Sequence, residues 1–146
     1  MTDIQKRLEA YADFFEHLEL EDLQRFEKIF SEDIHFKDPF NDVHGVPGIK
    51  QVFEHMFEQC DDPRFRVSDF CGKEDRGYLQ WSFSFTPKGW EEACRLEGLS
   101  RVTFDEQGCV SEHIDYWDPA EQIYSRLPVL GWLFGVVRSR LSASGG

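Results

Sequence analysis

The sequence is short of basic residues, and this shortage excludes one class of function. It has 16 Lys and Arg against 28 Asp and Glu, which gives a formal net charge of −12 at pH 7. Proteins that bind nucleic acids contact the phosphates with clustered Lys and Arg. The charge balance therefore argues against nucleic acid as a partner.

The sequence also lacks cysteine motifs and an N-terminal leader. Cys60, Cys71, Cys94 and Cys109 are dispersed, with no CxxC pair and no His at metal-ligand spacing. This argues against a zinc or redox motif, and we expect four reduced packing residues. The N-terminus has no basic segment followed by an apolar one, which favours a cytoplasmic protein.

No apolar run is long enough to span a bilayer, which takes about 20 residues. An uncharged run, residues 127–137, lies in a tail whose only charges are positive. We expect residues 127–146 to form an apolar helix with a flexible end. Such a helix could lie on an anionic membrane surface, cover a partner subunit in a homodimer, or pack on its own domain, and packing within the protein or dimer is favoured over membrane contact.

Aromatic residues are abundant, with 14 Phe and four Trp in 146 residues. This length suits one domain, which we place at residues 1–126, and the aromatics suit a core or an apolar pocket. Apolar residues recur at helical spacing in two stretches before position 31 and in a third that starts near Pro47. These positions are Ile4, Leu8, Tyr11, Phe15 and Leu18; Leu23, Phe26 and Phe30; and Ile49, Val52, Phe53, Met56 and Phe57.

The rest of the chain alternates with a period of two, as strands do. One short strand precedes Pro39, and four antiparallel strands follow Pro63. Asp118 and Pro119 then resemble the start of a C-terminal helix, with Asp118 as its N-cap. Helices and strands are thus largely segregated, which indicates an α+β domain.

The segments FKDPF and VTFDEQGCVSEHIDYWDP, in this order of elements, resemble the nuclear transport factor 2-like superfamily. The resemblance covers roughly residues 4 to 124 and points to the SnoaL-like branch of polyketide cyclases and ketosteroid isomerases. It implies a cystatin-like cone, in which three N-terminal helices pack on a curved mixed, mostly antiparallel β-sheet that encloses a pocket, plus a C-terminal helix.

The resemblance also implies site residues. The strand-end Asp-Pro step that supplies the general base in ketosteroid isomerases matches Asp38-Pro39. Phe14 and Ser100 stand at the positions of the family's oxyanion-hole tyrosine and aspartate. Phenylalanine donates no hydrogen bond and serine is a weaker donor than a carboxylic acid, which argues against isomerisation of a ketosteroid.

The family alignment points Ser111, His113, Asp115 and Trp117 into the pocket, and Val110, Glu112, Ile114 and Tyr116 away from it. On this parity Asp38 would be the base, and His113 with Asp115 would be the proton donor or relay. The other pocket residues would bind an apolar substrate: Phe14, Phe36, Phe40, Trp81, Phe83, Ser100, Val102 and Trp117.

Structural roles compete with each of these assignments. Asp38 could cap a turn, His113 could be a core histidine bonded to a carboxylate, and Asp118 fits a helix cap better than a site. Four other histidines are predicted to be solvated: His17, His35, His44 and His55.

Two functions remain open from the sequence. The first is an acid/base isomerase, cyclase or dehydratase that acts on a small apolar carbonyl-type substrate, with no cofactor and no metal implied. The second is a non-catalytic ligand-binding or dimerisation module, since this fold hosts many functions.

Overall fold

A computed structural model describes residues 2 to 122 of the chain. It shows an α+β domain, the predicted class, in which helices pack on one mixed sheet of six strands, one more than the five that the sequence predicts. The predicted apolar tail, residues 127–146, lies outside the described residues.

Two α-helices, a 3₁₀ segment and one α-helical turn lie in the N-terminal part, and a short α-helix lies at the C-terminal end. Helix α1 begins with a capping box between Thr2 and Gln5, which satisfies backbone N–H groups of the first turn. The predicted second helix is a 3₁₀ segment, Leu20–Arg25, that continues into a single α-helical turn. The helices are α1 (Asp3–Glu16), α2 (Phe26–Ile29), α3 (Val46–Gln59) and α4 (Pro119–Gln122).

The strands form one sheet in the order β2-β1-β6-β5-β4-β3. Only β1 and β6 pair in parallel, and the other neighbours are antiparallel. The strands are β1 (Phe30–Lys37), β2 (Asp42–His44), β3 (Cys60–Lys73), β4 (Arg76–Pro87), β5 (Cys94–Phe104) and β6 (Val110–Tyr116). The short strand β2 falls where the sequence predicts a loop, because three residues give too little alternation to recognise.

The register of β6 confirms half of its predicted parity and corrects the other half. His113 lies opposite Val102 and Asp115 lies opposite Ser100, so these side chains share the inner face of the sheet. Towards the start of β6 the register shifts, so Ser111 is not paired with a residue of β5 in the register, although its Oγ donates to the Thr103 carbonyl at 3.3 Å. The prediction was wrong there: Val110 is buried in the core. A β-bulge adds one residue and reverses the alternation before it.

Close approach between α1 and the sheet depends on a glycine in β4. A Cβ built on Gly77 would lie 2.4 Å from Leu8 Cδ2, and Leu8 is fully buried. The missing side chain therefore lets α1 settle against the strands. This packing places one face of α1 over the inner surface of the sheet.

The helices of residues 2–122 are all too short or too polar to cross a membrane. The predicted cap of the C-terminal helix is confirmed, since Asp118 Oδ1 accepts hydrogen bonds from Ala120 N at 2.9 Å and Glu121 N at 3.2 Å. Asp118 is thus held at the start of α4.

Candidate functional site

A cavity lies between α1, α3 and the inner face of β3 to β6, and we call it the inner cavity. It contains about 440 Å³ of empty space, including its opening to solvent. Most of its wall is apolar, and a few polar side chains project from one side. The lining residues are Tyr11, Ala12, Phe15, Phe53, Phe65, Val67, Leu79, Trp81, Ser100, His113 and Asp115.

The polar side chains of the inner cavity form one hydrogen-bonded chain. Tyr11 Oη lies 2.7 Å from His113 Nδ1, and His113 Nε2 lies 2.7 Å from Asp115 Oδ1. Ser100 Oγ donates to the same Asp115 oxygen, and Trp81 Nε1 donates to Ser100 Oγ at 2.8 Å. Residues from α1, β4, β5 and β6 therefore fix one carboxylate.

The partners define the donors and acceptors in this chain. An ionised carboxylate only accepts, so His113 donates from Nε2 and its Nδ1 accepts from Tyr11. Both hydrogen bonds to Asp115 end on Oδ1, while Oδ2 makes no hydrogen bond within residues 2–122. Asp115 is thus held by one oxygen, its other oxygen has no hydrogen-bond partner among these residues, and the residue lines the cavity.

Tyr11 and His113 of this hydrogen-bonded chain both lie in apolar surroundings. Tyr11 is buried, and its desolvation, together with the charge of Asp115, raises the pKa of the phenol well above its usual value. Tyr11 therefore stays protonated and keeps its hydrogen for His113. The imidazole itself lies between the rings of Phe15 and Phe36, with centroids at 5.9 and 5.1 Å.

A glycine makes room for the indole that ends the chain. Gly98 lies opposite Trp81, and a Cβ at Gly98 would lie 2.5 Å from Trp81 Cζ2. Only glycine lets the indole lie flat across the neighbouring strand and reach Ser100.

A wider opening adjoins the inner cavity, and we call it the outer cleft. It has about 1010 Å³ of empty space, open solvent included. Phe53, Phe65, Trp81 and Asp115 line both spaces, so Asp115 stands where they meet. The other lining residues are Phe36, Asp38, Phe40, Asn41, Val52, His55, Met56, Gln59, Cys60, Phe83, Phe85, Leu96 and Trp117.

Asp38 lies in the outer cleft and caps the turn after β1. Its Oδ1 accepts hydrogen bonds from Phe40 N at 2.8 Å and Asn41 N at 2.7 Å, and the Asn41 amide contacts both carboxylate oxygens at 3.1 Å. Burial raises the pKa of Asp38 above its ordinary value, these hydrogen bonds oppose the rise, and the charge of Asp115 adds to it. The turn-cap interpretation therefore holds, and the carboxyl also faces the cleft.

Most of the residues that the sequence singled out come together here. Those of the inner cavity alone are Ser100 and His113, those of the outer cleft alone are Phe36, Asp38, Phe40, Phe83 and Trp117, and Trp81 and Asp115 line both. Asp38 and His113 line different spaces, and Asp115 connects them.

Two of the predicted substrate-binding residues, Phe14 and Val102, line neither space. Phe14 lies on another side of α1, with the Arg25 guanidinium 5.2 Å from its ring centroid. Val102 shares the inner face but is fully buried in the core. Neither position reaches a ligand in the two spaces.

The sequence analysis missed Tyr11 as a site residue. Tyr11 and Phe15 are one helical turn apart and both line the inner cavity, whereas Phe14 is turned towards Phe26. The apolar stripe of α1 already contained Tyr11 and Phe15. The only tyrosine in that stripe was therefore an available signal for a polar group in the pocket.

Comparison with protein families gives one match. The SnoaL-like domain model matches residues 11–113, which is most of the chain and includes Tyr11, Asp38, Ser100 and His113. No curated protein matches by sequence.

Solved structures with the same fold are distant in sequence. An NTF2-like protein of unknown function from Burkholderia pseudomallei has a TM-score of 0.71 at 16% identity, covering 84% of this chain and 96% of that one. A hypothetical protein with a ketosteroid isomerase-like fold from Catenulispora acidiphila, in complex with trimethylamine, has 0.68 at 11%, covering 80% and 88%. An LEH-like epoxide hydrolase of M. tuberculosis has 0.64 at 13%, covering 91% and 86%.

These likenesses confirm the cone fold. At identities this low they show the architecture and nothing more. The family match runs from Tyr11, within α1, to His113, within β6. The chain belongs to the SnoaL-like domain family.

Proposed function

We propose that the protein is an acid/base enzyme for small apolar carbonyl compounds, an isomerase, cyclase or dehydratase that begins by removing a proton next to a carbonyl group. One observation carries this proposal: Asp115 lines an apolar cavity and is fixed through Oδ1 by His113 and Ser100, while its Oδ2 makes no hydrogen bond within residues 2–122. A general base needs such a fixed geometry and a free oxygen.

Asp115 would act as the base. Its Oδ2 would take a proton from the carbon next to the carbonyl, and the electron pair of that C–H bond would form a carbon–carbon double bond. The carbonyl oxygen then gains negative charge and needs a proton or a hydrogen-bond donor. Return of the proton to another carbon would give an isomer, and attack by the new nucleophilic carbon would give a cyclised product.

Asp38 would act as the acid. Burial and the nearby Asp115 charge raise its pKa, which favours the protonated carboxyl that such a step requires. Its Oδ1 accepts from two backbone N–H groups and from the Asn41 amide, whereas Oδ2 contacts only that amide, so Oδ2 is the atom that would carry the proton. The family resemblance assigns the base to Asp38, and the hydrogen bonding supports the reverse division between these two carboxylates.

Tyr11 and His113 would act as positioning residues. The imidazole donates to Asp115, and the phenol fixes the tautomer that can do so. The apolar walls exclude water, which strengthens the electrostatic interactions inside the site. The M. tuberculosis relative, described as an epoxide hydrolase, supports a catalytic role for this fold.

Deuterium exchange of a small apolar ketone tests the proposal. We expect the protein to accelerate exchange of the C2 protons of 1-tetralone in D₂O, followed by proton NMR. Replacing Asp115→Asn should lower this rate by about 10²- to 10⁴-fold, the usual contribution of a general base. The control is Asp75→Asn, an exposed carboxylate in the β3–β4 turn. Equal rates for wild type and Asp115→Asn would refute the proposal.

A second candidate function is binding without catalysis, with a small amine as ligand. Aromatic rings and two carboxylates line the outer cleft, and no Lys or Arg of residues 2–122 lines it. Such a surface attracts an alkylammonium ion through cation–π and charge interactions. The Catenulispora acidiphila relative was solved with trimethylamine, which supports this alternative.

Calorimetric titration with trimethylammonium chloride separates the two functions. Binding that is lost in Asp115→Asn but kept in Asp75→Asn, in a protein with no ketone exchange, would favour the binding module. Exchange without amine binding would favour the enzyme.

A further inference from the structure

Three side chains with metal-binding atoms meet on the outer surface of the β1–β2 hairpin. We call His35, Asp42 and His44 the hairpin triad. One nitrogen of each histidine and one oxygen of Asp42 all lie within 4.8 Å of one another. None of these residues belongs to the inner cavity or the outer cleft.

The strand register brings the triad together. His35 lies directly opposite His44, and Asp42 lies opposite Lys37, two residues further along. Directly opposed and diagonal neighbours on one face of an antiparallel pair are within side-chain reach. Phe36 is buried on the inner face, so the alternation of β1 puts His35 on the outer face. Three ligand residues on two paired strands therefore have a fixed backbone.

The atoms are close to the spacing that a metal ion requires. Zinc bonds of 2.0–2.1 Å to nitrogen and oxygen in a tetrahedron imply about 3.3 Å between ligand atoms. His35 Nε2 already lies 2.7 Å from Asp42 Oδ1, and the two imidazole rings stack with centroids 4.3 Å apart and planes 8° apart. An imidazole binds a metal in the plane of its ring, so the two rings must turn out of their parallel stack for the three atoms to surround one ion.

We propose that the hairpin triad binds one Zn²⁺ ion through His35, Asp42 and His44, with water in the fourth position. Two imidazoles and a carboxylate are ligands that suit this metal. Solvent access helps it enter, because Asp42 and His44 are exposed and His35 is half-buried. The proposal is independent of the proposed enzymatic function, since the triad lies on the other face of β1.

The interactions now present in the triad would be exchanged on binding. Zn²⁺ would take the place of the proton between His35 and Asp42, and its attraction to the Asp42 carboxylate would oppose its repulsion from Lys37 on the same face. The ion would connect β1 to β2, a strand of three residues at the edge of the sheet. Binding should therefore stabilise the folded protein against unfolding.

Zinc titration of the full chain tests this proposal. We expect calorimetry to show one Zn²⁺ site per chain in wild type, with perturbed ¹⁵N imidazole resonances of His35 and His44. His35→Ala, His44→Ala and Asp42→Asn should each weaken binding at least about tenfold, since even the loss of groups that only orient a ligand costs 10- to 100-fold.

The matched control is His17→Ala, which removes a histidine in a surface pair with Asp13 that has no second imidazole. It should bind Zn²⁺ like wild type. Circular dichroism of each metal-free variant checks that it is folded, and Asp42→Asn preserves the size of the side chain. Zinc affinity unchanged by the three triad variants would place the ion elsewhere, for example on cysteine thiols, and would overturn the proposal, as would the absence of zinc binding by wild type.

Discussion

The two carboxylates of the pocket are fixed in different ways. Asp38 is held by its own turn, through backbone and side-chain N–H groups two and three residues away. Asp115 is held by His113 on its own strand and by Ser100 on the neighbouring strand. These two are held in turn by Tyr11 and Trp81, which come from other elements. Local sequence defines the first arrangement, and the tertiary fold defines the second.

This difference indicates how one pocket could have both an acid and a base. Asp38 has a raised pKa because burial and the charge of Asp115 outweigh the hydrogen bonds of its turn. Asp115 instead accepts hydrogen bonds from two side chains on its Oδ1. Carboxylates in unlike environments can take opposite roles in one reaction.

Breaking the local arrangement around Asp38 should have its largest effect on the rate of the reaction. Asp38→Asn keeps an oxygen that can accept from Phe40 N and Asn41 N but removes the transferable proton. We expect it to slow 1-tetralone exchange by about 100-fold, because an amide can donate a hydrogen bond to the developing oxyanion but cannot transfer a proton to it. A rate within a factor of two of the Asp75→Asn control would show that Asp38 serves the turn alone.

A mutation at Gly98 should disturb the long-range arrangement and leave Asp38 unaffected. The added methyl group of Gly98→Ala would lie 2.5 Å from Trp81 Cζ2 and 3.0 Å from the Tyr116 carbonyl oxygen. Overpacking of this kind costs about 1–3 kcal/mol in the free energy of unfolding, which urea denaturation measures.

Leu99→Ala is the control for this prediction, because Leu99 is exposed on the other face of the same strand. Tryptophan fluorescence should also change in Gly98→Ala as the indole moves away from Ser100. An unchanged unfolding free energy would mean that Trp81 is loosely held.

Tyr11→Phe isolates one hydrogen bond of the long-range arrangement. It leaves His113 Nδ1 buried without its donor, which should cost about 1–2 kcal/mol of stability. The control is Tyr116→Phe, which removes an exposed hydroxyl. ¹⁵N NMR of the His113 ring should show a mixed tautomer in Tyr11→Phe and the Nε2-protonated form in wild type. The same tautomer ratio in both proteins would contradict the role given to Tyr11.

The smallest expected effect is a pH dependence of stability from Asp38. Its pKa in the folded protein is above the ordinary 3.8, so folding favours the protonated form. Relative to Asp38→Asn, wild type should be most stable below pH 3.8 and lose stability as the pH rises through the raised folded value. Urea unfolding at several pH values measures this difference, and a wild type that gains stability over the variant across that range would reverse the sign.

The sequence predicted the local features of the fold well. Helical stripes, strand alternation, the Asp38 turn and the Asp118 cap all depend on residues within a few positions of one another. The exceptions were also local in cause: β2 is too short to show a pattern, and the bulge in β6 reverses the alternation at Ser111.

The site was less predictable because its contacts span the chain. Tyr11 and His113 are 102 positions apart, and no pattern within either segment indicates their hydrogen bond. Counting from a motif chose Phe14 for the helix position that faces the pocket, although Tyr11 is the residue that does so. The hairpin triad likewise needed the register of β1 on β2 before two histidines predicted to be solvated became neighbours.

A crystal structure with 1-naphthol, the aromatic counterpart of the enol of 1-tetralone, would test the central claim most directly. We predict that its rings lie among Phe53, Phe65 and Trp81, with its oxygen on Asp38 and its C2 edge towards Asp115 Oδ2. An orientation with the oxygen on neither carboxylate, or with naphthol bound away from Asp115, would contradict the assignment of Asp115 as base and Asp38 as acid.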